Sequence, residues 1–173
     1  EVDDLCVDVT DFLRRRVTGL ICMVDPLLII APPPEDYMFD HENTSRLVRD
    51  ASFCATVPLY GAQGSFPAIA SLPYLYYTSP SSGRDQYGRF VEMPIVVDIS
   101  SAIEQKKSML ACHASQREWL RIKHGMDEYI ESALTWSAET AKRIGCAYAE
   151  GFRQYLGPYY PNDDMLSRIL AKQ

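Results

Sequence analysis

The chain has 173 residues, of which 47% are hydrophobic and 23% charged. That length allows a real apolar core, and the balance is that of a globular protein rather than a disordered one. A formal net charge of −6 argues against a nucleic-acid surface, which needs a basic stripe to meet phosphates. No apolar run approaches the roughly 18–20 residues of a membrane span. The five cysteines are Cys6, Cys22, Cys54, Cys112 and Cys146. Their odd number, wide spacing and lack of a CxxC pair fit reduced thiols in a cytoplasmic protein. No signal peptide is visible, and Glu1 stands in mid-flow rather than at an initiating methionine.

Helical spacing of Val9, Phe12, Leu13, Val17, Leu20, Ile21 and Val24 predicts a helix over Asp8–Val24, stopped by Asp25-Pro26. Leu27–Ala31 is short and wholly apolar, as in a parallel strand buried on both faces. Pro32-Pro33-Pro34 ends it. After a loop at Glu35–Phe39, a second helix is expected over Asp40–Ala55, with Asp40 as N-cap and Leu47, Val48, Ala51 and Cys54 facing inward. Helix, strand, loop, helix is the grammar of a doubly wound α/β fold, in which ligands sit beyond the carboxyl ends of the strands. Asp36-Tyr37-Met38-Phe39-Asp40-His41 lies at that address.

Val57–Gly88, rich in Pro, Gly, Ser and Tyr, reads as long loops with one strand at Tyr74–Tyr77. Its length makes it a candidate wall of a pocket. Val91–Ile99 reads as another strand, with Pro94 marking an edge or a strand start. Ser101-Ala102-Ile103-Glu104 has the form of a capping box opening a helix to Ile122. A further helical stripe, from Met126 through Tyr129, Ile130, Ala133, Leu134, Ile144, Tyr148 and Phe152, predicts a long helix to Tyr155, with Gly145 as a point of interruption. A short helix over Asp164–Leu170 closes the chain.

Three histidines limit the chemistry. His41, at the first turn of a helix after a strand end, either binds a metal through one ring nitrogen while an acceptor holds the other, or helps cap the helix. His113 shares a helical face with Lys106, Leu110 and Arg117; that stripe either faces a cleft or holds a half-buried structural histidine. His124, beside Gly125, reads as structural. No GxSxG elbow and no glycine-rich loop between strand and helix is present, so an α/β-hydrolase nucleophile, a Rossmann fingerprint and a P-loop all lack support.

Several segments together resemble the PIG-L (LmbE-like) family of zinc-dependent N-deacetylases. They are Asp25-Pro26-Leu27-Leu28-Ile29-Ile30 with Pro34-Glu35-Asp36-Tyr37-Met38-Phe39-Asp40-His41 and Arg46-Leu47-Val48-Arg49-Asp50-Ala51; Lys106 or Lys107 leading to His113-Ala114-Ser115-Gln116; and Tyr148-Ala149-Glu150-Gly151-Phe152-Arg153. The resemblance implies a Rossmann-like three-layer α/β fold with a largely parallel sheet, and a Zn2+ hydrolase that removes acetyl groups from N-acetyl amino-sugar conjugates. It implies that His41 is a zinc ligand and that Asp40 supports the catalytic loop. Tyr37, Met38, Arg46 and Gln116 are the substrate-binding candidates. Tyr37, Tyr60, Tyr76 and Tyr77 are candidates to stack on a sugar ring, with core packing the favoured alternative for any one of them.

Two departures from the family pattern follow. Met38 stands where many members have a histidine, and a thioether cannot donate a proton; His113 is the expected substitute as acid or oxyanion donor. The family's Ala-His-Pro-Asp-Asp motif, which supplies two ligands and the base, is absent. The expectation is that residues 1–173 are the C-terminal two-thirds of one deacetylase domain, and that a missing N-terminal segment packs on Leu27–Ala31. A homo-oligomer is compatible with the resemblance. The alternative is a degenerate or truncated member that serves as a non-catalytic binding or structural subunit.

Overall fold

A computed structural model describes residues 2–60, 66–124 and 128–171. The chain forms two compact units, Glu1–Glu92 with Arg153–Gln173, and Met93–Phe152.

In the first unit, helix α1 spans Asp11–Val24. It begins three residues later than the periodicity predicts, because Thr10 caps it by accepting from the Leu13 amide at 3.2 Å. Asp25, left-handed at φ 46°, ends it, and its amide returns to the Ile21 carbonyl. The apolar stripe is only partly used. Val17, Ile21 and Cys22 pack with Ala51, Ala55, Ile69 and Ile29, whereas Phe12, Leu20 and Val24 are exposed.

Strand β1 is Leu28–Ala31 and pairs in parallel with β2, Tyr74–Thr78, in the register Leu28 to Tyr74. Helix α2 is Phe39–Ala55. Ala31, Leu75 and Tyr77 make a second core cluster with Ile29, Val48, Tyr155 and Tyr160. Tyr76 is fully buried as well. The candidate sugar-stacking rings Tyr76 and Tyr77 are therefore core residues, because every central side chain of β2 is covered on both faces. Helix α6, Met165–Leu170, is capped by Asp164, which accepts from the Ser167 amide.

In the second unit, β3 (Ile95–Asp98) pairs antiparallel with β4 (Ala149–Gln154). Pro94 immediately precedes β3, as its missing N–H requires. The predicted capping box does not form. A 3-10 turn at Ser100–Ala102 precedes helix α3, Ile103–Ala111, whose start has no side-chain cap. Ser100 instead donates its hydroxyl to Asp98 at 2.6 Å. The chain breaks at Cys112-His113 before α4, Ala114–His124. Helix α5 is Glu128–Ala141.

The expected helix to Tyr155 ends early. Gly145 turns the chain at φ 73°, and 149–154 is a strand. The apolar spacing there suited either period, and pairing with β3 decides it. A side chain at Gly151 would bring its Cβ to 2.7 Å from the Met93 Cβ, so the close approach of these two segments needs glycine. Gly125 and Met126 lie outside the described residues, as does the side chain of His124.

The strand order is β1-β2-β4-β3. The Tyr155 amide, just past β4, bonds the Leu75 carbonyl at 2.8 Å. β1 stands at the end of the sheet, and Ile30 on it is 49% exposed. The strand is thus not buried on both faces, and its outer edge has no partner strand among the described residues.

Candidate functional site

The loop between β1 and α2 is built around one buried carboxylate. Asp36 sits at the base of an Asx-turn: its Oδ1 accepts from the Met38 amide at 3.2 Å. Its Oδ2 accepts from the Ser81 amide at 3.4 Å, and its own amide donates to Glu42 at 3.1 Å. Glu42 and Asp40 are the acidic residues of the first turn of α2, where they complement the helix dipole. The Glu35 carboxylate forms an ion pair with Arg153, which secures the other end of the loop.

His41 stands one turn beyond Asp36. Its Nδ1 lies 3.3 Å from Asp36 Oδ1, and the imidazole is 41% exposed while the Asp36 side chain is 2% exposed. Tyr37 presents its ring edge-on to the imidazole, with centroids 6.1 Å apart, and is otherwise exposed.

The N-cap of α2 is Met38, with no side-chain hydrogen bond; the cap expected of Asp40 is not made. Asp40 is buried one residue inside the helix, and its two oxygens accept from the Leu5 amide at 2.7 Å and the Val7 amide at 3.2 Å. Asn43 adds a bond to the Val7 carbonyl at 2.7 Å. Asp40 therefore straps the segment before α1 onto the start of α2. Arg46 is exposed and lies 3.9 Å from Asp50. Tyr60 ties the end of α2 to α1: Arg14 donates to its hydroxyl at 2.9 Å, and the Arg15 guanidinium stacks on its ring.

Sequence reasoning missed Asp36 as the centre of this loop and Ser81 as its partner. It also missed the turn at 81–90. Asp85 closes that turn by accepting from the Tyr87 and Arg89 amides at 2.9 and 2.8 Å, which leaves Tyr87 74% exposed. The Asp and Gly residues of this turn were its only sequence signal.

In the second unit, His113 is exposed in the break between α3 and α4, edge-on to Tyr129 at 6.5 Å. Because the helix breaks there, Lys106 and His113 do not share a continuous face. Lys106 instead donates to Ser137 at 2.9 Å and to Glu150 at 2.7 Å. Gln116 is exposed on α4.

Among the described residues, no three His, Cys, Asp or Glu side chains converge on a metal-sized site. His41 is half exposed, with its Nδ1 toward the buried Asp36 carboxylate. The described residues alone do not enclose a metal.

No protein-family model matches the chain. Similar solved structures include the 4-carboxy-2-hydroxymuconate hydratase GalB of Pseudomonas putida, at 20% identity and TM-score 0.67, covering 95% of this chain and 66% of that one. The conserved protein TT1542 of Thermus thermophilus matches at 19% identity and TM-score 0.70, over 90% of this chain and 63% of its own. The N,N'-diacetylchitobiose deacetylase of Pyrococcus horikoshii, complexed with an inhibitor, matches at 18% identity and TM-score 0.68, over 92% and 57%. The chain thus spans 57–66% of the length of these structures. At such identities the likeness is one of fold. The chain has a mixed α/β fold similar to that of the N,N'-diacetylchitobiose deacetylase.

Proposed function

We propose that this chain is part of a zinc-dependent amide hydrolase that removes the acetyl group from an N-acetylated amino-sugar conjugate. One observation carries the reading: the half-exposed imidazole of His41, after a strand end and at the start of α2, with a buried carboxylate behind its Nδ1. The fold shared with a chitobiose deacetylase supports it.

In this reading His41 contributes one ligand through Nε2. Zinc, when bound, supplies Lewis acidity toward the amide carbonyl and a water of lowered pKa. The N-terminus of α2 favours the negative charge of an oxyanion or of released acetate. Tyr37, Met38 and Arg46 border the substrate, His113 serves as acid and Gln116 as a polar contact. A further segment of the protein supplies the remaining ligands and the base. The open edge of β1 and the exposed Phe12, Leu20, Val24, Leu27 and Ile30 give that segment an apolar face to cover.

A second reading, a family member that binds without catalysing, is favoured by Met38, which has no proton to give, and by Asp40, whose oxygens both serve backbone amides. Metal analysis of the complete protein and an acetate-release assay on N,N'-diacetylchitobiose and N-acetylglucosamine separate the two. The enzyme reading expects about one zinc per molecule and acetate release that His41→Ala abolishes. Absence of both metal and acetate release selects the binding reading.

A further inference from the structure

The segment before α1 holds a conformation that its own side chains do not explain. Asp3–Cys6 is a turn closed by the Cys6 amide on the Asp3 carbonyl at 3.2 Å. Leu5 in that turn is left-handed at φ 62°, a strained backbone for any residue that carries a Cβ. Leu5 is also 57% exposed, so packing of its side chain is not what holds the strain. Bonds from α2 hold it. The Leu5 and Val7 amides donate to Asp40 at 2.7 and 3.2 Å, and Asn43 donates to the Val7 carbonyl at 2.7 Å. Asp40 and Asn43 are three residues apart, on one helical face.

These bonds grip the helical turn that carries His41. α2 opens on Met38, which makes no side-chain cap bond. The His41 and Glu42 amides both turn back to the Met38 carbonyl, at 3.0 and 3.3 Å. A helix start without a side-chain cap frays readily. We propose that residues 3–7 are a sprung latch on the first turn of α2, with Asp40 and Asn43 as its catch, so that closing the latch orders the turn that presents His41 and opening it lets that turn fray. The spring is the left-handed Leu5, which persists only while the surrounding bonds enforce it.

Two substitutions move this balance in opposite directions. Leu5→Gly removes the strain that opposes closure, at a smaller entropic cost in the unfolded chain. Asn43→Ala removes one bond of the catch and leaves the Asp40 carboxylate in place. Alanine is the better helix former of the two, so a loosened first turn in Asn43→Ala is not an effect of propensity.

The test is amide exchange in the complete protein at one pH, with protection factors compared across variants. In Asn43→Ala, protection at Val7, His41 and Glu42 is expected to fall about two- to tenfold, with Ala51 and Ala55, further along α2, unchanged. In Leu5→Gly, protection at the same three amides is expected to rise about two- to fivefold. The double variant is expected to return toward wild type. A change at Val7 that His41 and Glu42 do not follow overturns the coupling. So does a fall that Ala51 and Ala55 share, because it marks a general loss of stability. Unchanged protection in Leu5→Gly overturns the spring. None of these outcomes depends on the hydrolase reading: a complete protein that releases no acetate leaves the latch standing, and a failed latch leaves that reading standing.

Discussion

The buried hydroxyl of Tyr76, in the middle of β2, donates to the Asp164 carboxylate at 3.2 Å and accepts from the Leu166 amide at 3.1 Å. It thereby holds the N-terminus of α6. Tyr76→Phe removes both bonds and leaves the Leu166 N–H buried without its acceptor. The expected cost is about 1–3 kcal/mol, read as a lower urea midpoint with an unchanged slope.

The same helix end makes stability depend on acid. Tyr74 and Arg168 donate to Asp163, and these bonds hold its carboxyl below the usual carboxylate range. For Asp164 burial pushes upward, but bonds from Ser167 and Tyr76 outweigh it and the carboxyl is also depressed. A carboxylate depressed in the folded state stabilises above its unfolded pKa and loses that contribution as pH falls through the folded one. Docking of α6 should therefore weaken below about pH 4. Protection factors at Leu166 and Ser167, with exchange corrected for its intrinsic slowing in acid, should fall from pH 6 to 3, and less so in Tyr74→Phe with Asp164→Asn.

Gly151→Ala should be poorly tolerated although alanine is the smallest replacement. Its Cβ would meet the Met93 Cβ at 2.7 Å, an atom fixed to the backbone rather than a flexible tip. Overpacking of this kind costs about 1–3 kcal/mol. A fall in melting temperature that Met93→Gly partly reverses would identify the clash as the cause.

The proton-donor role proposed for His113 has a kinetic test. In the complete enzyme, His113→Gln should reduce kcat by about 10²–10⁴-fold with little change in KM. A wild-type rate in that variant removes His113 from the mechanism and leaves the absence of a histidine at position 38 uncompensated.

Local signals located much of this fold. The proline run after an unbroken apolar stretch marked the end of β1, and the spacing of Leu47, Val48 and Ala51 marked the inner face of α2. His41 was legible as a candidate because an imidazole after a strand end is uncommon in a chain with three histidines. Asp36 was not, since its importance lies in a bond to Ser81 that no local pattern encodes. The segment Ala149–Gln154 misled for a related reason: its apolar residues continue a helical stripe, and only the partner strand, some 50 residues earlier, imposes the extended form. Tyr76 and Tyr77 fall in the strand that the sequence predicts at Tyr74–Tyr77, and the sheet gives both the core role that stood as the alternative to sugar stacking.

Where the proposed covering segment is not in place, the outer edge of β1, unpaired among the described residues, also governs how this polypeptide behaves at high concentration. Leu28–Ala31 has no lysine, no bulge and no internal proline, the usual guards against strand-to-strand recruitment. A second molecule can add its own β1 there, and the half-exposed Ile30 gives the union a greasy seam. Dimers or larger aggregates growing with protein concentration should follow in light scattering, and Ile30→Lys should suppress them. The strand that leads the chain to its histidine is also the strand by which one copy would recruit another.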